Sequence, residues 1–115
     1  MADYQQHKTA FDALDATLLA LSCDAQDGAS AVVTTLGLEF PVAYGLDAMA
    51  TSRAIGCYTG IHDGVPHVQP AAFVLDSSGS IIHAVYSSGM VGRLTAADTL
   101  ALLRGQQKKR EKPAL

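Results

Sequence analysis

Residues 69–86, QPAAFVLDSSGSIIHAVY, decide how this chain is read. Residues 71–76 (AAFVLD) form a short apolar run with the length of a strand. Ser77-Ser78-Gly79-Ser80 supplies turn chemistry, and residues 81–86 (IIHAVY) return as a hairpin partner. Downstream, Thr95 is placed to cap a last helix, with Asp98 three residues on and Leu100 and Leu103 on its apolar face. A hairpin followed by a packed helix closes many α/β domains, so the upstream residues decide which kind this is.

Working upstream, residues 59–69 read as a Gly-containing loop with linker-like composition. Before it, Asp47 can cap a short helix through Ile55 that Gly56 ends. Residues 39–44 (EFPVAY) suit a brief extended segment that Pro41 confines to an edge. Ala29, Val32, Val33 and Leu36 repeat at helical spacing, and Gly37 follows as a stop. Residues 17–22 (TLLALS) are a continuous apolar run, the pattern of a strand covered on both faces. Tyr4, His7, Phe11 and Leu14 mark one face of a helix over residues 3–14.

The length of 115 residues suits one domain. With 49% apolar and 17% charged residues, the composition excludes disorder, collagen-like repeats and a disulfide-dense mini-protein. No apolar run is long enough to span a bilayer, and MADYQQHK has neither the basic nor the apolar part of a secretory signal. A cytoplasmic protein with reduced thiols at Cys23 and Cys57 is therefore expected, and neither cysteine belongs to a CxxC pair. Residues 1–103 carry three basic side chains against ten acidic ones, while Arg104, Lys108, Lys109, Arg110 and Lys112 make the end basic. The acidic body argues against a nucleic-acid partner, and the basic end reads as a solvated tail over residues 107–115.

The order of elements, with LLALSCD at 18–24, LGLEFPVAYGLD at 36–47 and the stretch at 69–86, resembles the peroxiredoxin (AhpC/TSA-like) branch of the thioredoxin superfamily. The resemblance runs from Tyr4 to Arg104. It implies a truncated thioredoxin-like α/β fold over residues 1–106, with a small mixed sheet, a C-terminal β-hairpin and flanking helices. It also implies ancestry as a thiol-based antioxidant oxidoreductase served by a thioredoxin-type reductant, with no bound cofactor. The family's Pro-x-x-x-Thr/Ser-x-x-Cys motif has no counterpart in the chain, and Pro70 stands where its activating arginine is expected. The resemblance assigns Pro70 as a cis-proline of the thioredoxin type. It also leaves out the core strand expected between residues 17–22 and 71–76. Either those two segments pair directly and antiparallel, or a second copy fills the gap. Exposed faces bearing Phe11/Leu14 and Val32/Val33 would then favour a homodimer or larger oligomer.

Two thiols and two imidazoles remain as candidate groups. Cys23 ends a strand, where α/β sheets gather functional groups, but the Asp24 carboxylate beside it opposes a thiolate. Cys57 follows Gly56 at a helix C-terminus, which also opposes negative charge, and of the two it is expected to be more exposed. Cys57, His62 and His67 recur every five residues and could ligate a metal, although the spacing matches no zinc module. Two functions follow: a redoxin by descent without peroxidase turnover, or a non-catalytic binding or assembly module on the same scaffold.

Overall fold

A computed structural model describes residues 1–111 of the chain. The first expected helix is present as two short ones, α1 (Ala2–Gln6) and α2 (Lys8–Ala13). The break falls at His7, whose Nδ1 lies 2.8 Å from the Asp3 carbonyl oxygen and 3.3 Å from the Asp3 carboxylate. A side chain bonded to the preceding turn competes with the helical ladder at that point. The apolar face survives the break. Phe11 is 0% exposed and forms a core cluster with Ala96 and Leu100, against which Tyr4, Leu14 and Leu18 pack.

β1 (Ala20–Leu21) pairs in parallel with β2 (Val42–Ala43). The run at 17–22 yields only two ladder residues because its partner is short. Pro41 has no N–H to donate, although its carbonyl accepts from Ala20 N–H, and the chain turns away at Gly45 with φ 69°. Between the two strands, α3 (Gln26–Leu36) ends at Gly37 in the left-handed conformation. Next, α4 (Ala48–Ile55) begins at Asp47, whose carboxylate accepts from Ala50 N–H at 2.8 Å, and ends at left-handed Gly56.

The segment expected to be a loop is ordered as a hairpin. β3 (Thr59–His62) and β4 (Val65–Val68) pair antiparallel across Asp63 and Gly64, with φ of 50° and 75°. Two consecutive positive φ angles make the two-residue turn that Asp-Gly favours, and this dipeptide is the signal that overrides the loop-like composition around it. β5 (Ala71–Leu75) and β6 (Ile81–Tyr86) form the expected hairpin, with a bulge at Val74/Leu75. Its turn is held by Asp76 Oδ1, which accepts from the N–H groups of Ser78 and Ser80.

The last helix, α5 (Ala96–Glu111), is capped twice. Thr95 Oγ1 accepts from Asp98 N–H at 3.1 Å, as its sequence position implies, and Asp3 Oδ2 accepts from Ala96 N–H at 2.8 Å across the whole chain. Lys108 and Lys109 belong to this helix, while Lys112 lies outside the described residues.

Two points of the sequence reading are settled here. Of the two ways to close the gap, direct pairing of 17–22 with 71–76 does not occur: among the described residues the strands form three separate two-stranded sheets, β1–β2, β3–β4 and β5–β6. Packing of Ala16 and Leu18 on the Phe11 cluster holds the approach to β1 on the helical side, leaving a groove before β5. The Phe11/Leu14 face is likewise not an exposed one, because α5 of the same chain covers it.

Two outcomes follow from this core. Phe11→Ala is expected to cost about 3–5 kcal/mol, a large share of the about 5–15 kcal/mol of a small domain, read as a drop in thermal midpoint. Tyr4 Oη donates to the Leu94 carbonyl at 2.7 Å, and burial pushes its phenol above the usual tyrosine value, opposed by the Thr99 hydrogen bond. A raised folded-state value means that this contribution is intact below the unfolded tyrosine value of about 10 and fades as pH rises through the folded one. Denaturant midpoints should therefore fall at high pH in the native chain, and the part due to Tyr4 should be absent in Tyr4→Phe.

Candidate functional site

A cavity of about 1000 Å³ separates the β1 segment from β5. Phe11, Leu14 and Leu103 contribute apolar wall, and Cys57, His67 and Gln69 are among its other lining residues. The elements that shape it are short and locally determined. The Gly56 turn at the end of α4 folds Cys57 inward, where its carbonyl accepts from Ser52 Oγ at 2.6 Å. The Asp63-Gly64 turn sets the register of β4, so that His67 and Gln69, two residues apart, share a side of the strand.

Both cysteines line this cavity as free thiols. Their exposure is the reverse of the expectation. Cys57 is 4% exposed, whereas Cys23 is half-buried. The reason is the left-handed Gly56, which returns the chain under α4 instead of releasing it to solvent. Cys57 therefore sits at the C-terminal, electronegative end of α4.

The structure does not assemble the metal candidates. His62 and His67 meet edge to face with ring centroids 6.1 Å apart, and His62 Nε2 lies 3.4 Å from Asp63 Oδ2 on the exposed hairpin. Among the described residues no three His, Cys, Asp or Glu side chains converge on a possible ion site, so Cys57, His62 and His67 do not form one. Their spacing of five places them on different sides of a turn and two strands.

Pro70 is corrected as well. No cis peptide bond occurs among the described residues, so the Gln69–Pro70 bond is trans. The chain runs extended through this point from one ladder to the next. Gln69 N–H donates to the Tyr58 carbonyl at 2.8 Å, and the Pro70 carbonyl accepts from Ser87 N–H at 2.9 Å. A trans proline at the start of a strand meets both demands, since its missing N–H is not needed by either partner.

One feature of the site escaped the sequence. His67 Nδ1 and Gln69 Oε1 are buried without a hydrogen-bond partner, on two residues that line the cavity. Gly60 makes room for the Gln69 amide, which a Cβ there would overlap. Asp63-Gly64 was the available signal: read as a two-residue hairpin turn, it puts His67 and Gln69 on one strand side and opposes Gly60 to His67.

No protein-family model matches the sequence, and no curated protein matches it. Among solved structures, the chain is similar to a cysteine-to-serine mutant of the peroxiredoxin 6 of Arenicola marina, with a TM-score of 0.70 and 17% identity. The match covers 96% of this chain and 55% of that one, so the chain spans about half the length of the structure it resembles. Three small sheets with flanking helices, traced over that length, are part of a thioredoxin-like fold of the kind a peroxiredoxin has.

Proposed function

We propose that this chain is a redoxin-like unit of AhpC/TSA descent that acts as a binding or assembly module and does not itself turn over peroxide. The observation that carries the reading is the placement of Cys57, buried at the electronegative end of α4. Peroxide reduction needs a thiolate held by positive charge, and donors for the departing oxygen. Pro70, in the position where the resemblance expects an activating arginine, offers neither charge nor donor. A cytoplasmic setting and association of identical chains belong to the same proposal. No helix among the described residues is long and apolar enough to cross a membrane.

Hydrogen peroxide in slight excess should leave the intact mass unchanged over minutes, and addition of thioredoxin with its reductase should consume no NADPH above background. Peroxide-dependent NADPH consumption that Cys57→Ser or Cys23→Ser abolishes would show the chain to be a working peroxidase. Self-association is checked by light scattering, where a monomer at every concentration removes that part of the proposal.

A further inference from the structure

We propose that the Asp63-Gly64 turn is a site of spontaneous backbone modification, at which Asp63 converts to an isoaspartyl residue with His62 as the proton donor. The inference concerns the β3–β4 hairpin alone and stands apart from the binding-module reading.

The chain contains two Asp-Gly dipeptides, Asp27-Gly28 and Asp63-Gly64, which the sequence alone does not tell apart. Glycine makes either of them a candidate, because without a Cβ its nitrogen can approach the preceding aspartate side chain closely. Ring closure also requires the aspartate ψ to turn until that nitrogen faces Cγ. All four residues are exposed, so access to solvent does not separate the pairs. The backbone does. Asp27 and Gly28 lie in the first turn of α3, where Ala29 N–H donates to the Ala25 carbonyl at 3.0 Å across both of them. Rotation about Asp27 ψ would break that bond and the start of the helix with it. Gly28 is also in contact with its surroundings, since a Cβ there would stand 3.5 Å from Asp24 Cβ. Asp63 and Gly64 lie outside the ladder, whose last pair is His62 with Val65. Asp63 has φ 50°, in the left-handed region that a residue with a Cβ seldom takes, and nothing lies within 4 Å of where a Gly64 Cβ would stand.

The neighbouring imidazole supplies what the reaction lacks. A carboxylate is a poor electrophile until one oxygen is protonated, and His62 Nε2 lies 3.4 Å from Asp63 Oδ2. The Gly64 nitrogen attacks Asp63 Cγ, forming a C–N bond and giving up its proton. The Cγ–Oδ2 bond breaks, and that oxygen leaves as water with the Gly64 proton and one from the His62 imidazolium. The product is a five-membered succinimide. Water then adds back at one of its two carbonyls. Opening at Cγ restores aspartate, whereas opening at the main-chain carbonyl leaves Gly64 joined through Cγ as an isoaspartyl linkage. The mass returns to its starting value, and no oxidant or reductant is consumed. The new linkage has one more main-chain carbon, so the two-residue turn no longer fixes the pairing of β3 with β4. The match of Gly60 to His67, and the room Gly60 leaves for the Gln69 amide, depend on that pairing.

The full chain is aged in neutral buffer, folded and in concentrated urea, and then cut with trypsin. Cleavage after Lys8, Arg53 and Arg93 puts Asp27 and Asp63 on different peptides, residues 9–53 and 54–93. Isoaspartate is read as a change in retention at unchanged mass, and electron-based fragmentation assigns the residue. Folded protein should accumulate it at Asp63 while Asp27 stays aspartate, and unfolded protein should convert at both. His62→Gln should slow conversion at Asp63 several-fold in the folded chain, and Asp63→Gly should leave peptide 54–93 unchanged. Conversion of Asp27 as fast as Asp63 in the folded chain overturns the inference, as does a folded Asp63 that survives for the time in which the unfolded one converts. An unaltered rate in His62→Gln overturns the role given to that imidazole.

Discussion

Burial of Phe11 against Ala96 and Leu100 is the contact on which the rest of the molecule depends. It joins the first dozen residues to the last helix, and two polar bonds follow the same path. Asp3 caps α5 through Ala96 N–H, and the Tyr4 hydroxyl reaches the Leu94 carbonyl. An aromatic ring carries the largest burial energy available at this point in the sequence, and the stacked Tyr4 ring, with its centroid 5.6 Å from that of Phe11, extends it. With the first helices and the start of the last one fixed together, the strands are left to arrange themselves around what lies between.

That arrangement is unusual for an α/β domain because no sheet exceeds two strands among the described residues. Two-stranded ladders are marginal alone and need other elements packed on them. Here Val74 on β5 and Phe40 just before β2 are buried, so each ladder is anchored from one side while an edge stays open. Backbone groups shut away without partners cost about 1–3 kcal/mol each. The β1 edge avoids this by remaining accessible, with Leu19 64% and Leu21 50% exposed. The groove is thus a compromise between packing the helical side and leaving polar backbone in reach of solvent.

The same geometry separates the chemistry of the two cysteines from their neighbourhood. Both thiols face one cavity, yet each is held by a turn whose purpose is local. Gly56 ends α4 and buries Cys57, and the end of β1 places Cys23 ahead of α3. Likeness to a peroxiredoxin 6 structure at 17% identity speaks for the scaffold, and a scaffold accommodates many sites. Among the residues that line the groove, His67 and Gln69 each bury a polar atom without a hydrogen-bond partner.

Much of the fold was legible in the residues themselves. Asp47 and Gly56 bracket α4, Gly37 stops α3, Thr95 opens α5, and the run at 71–86 is a hairpin, because caps, turns and hydrophobic period act over a few residues. The Asp63-Gly64 hairpin was legible too, and was obscured by the Gly, Pro and His around it. Other features were decided only in three dimensions. Whether the face of Phe11 meets α5 or solvent, whether β1 reaches β5, which cysteine is buried, and whether Gln69–Pro70 is trans all depend on partners distant in sequence. The site belongs to this second group. His67 and Gln69 are ordinary residues by pattern, and only the packing of the β3–β4 hairpin buries a polar atom of each without a partner.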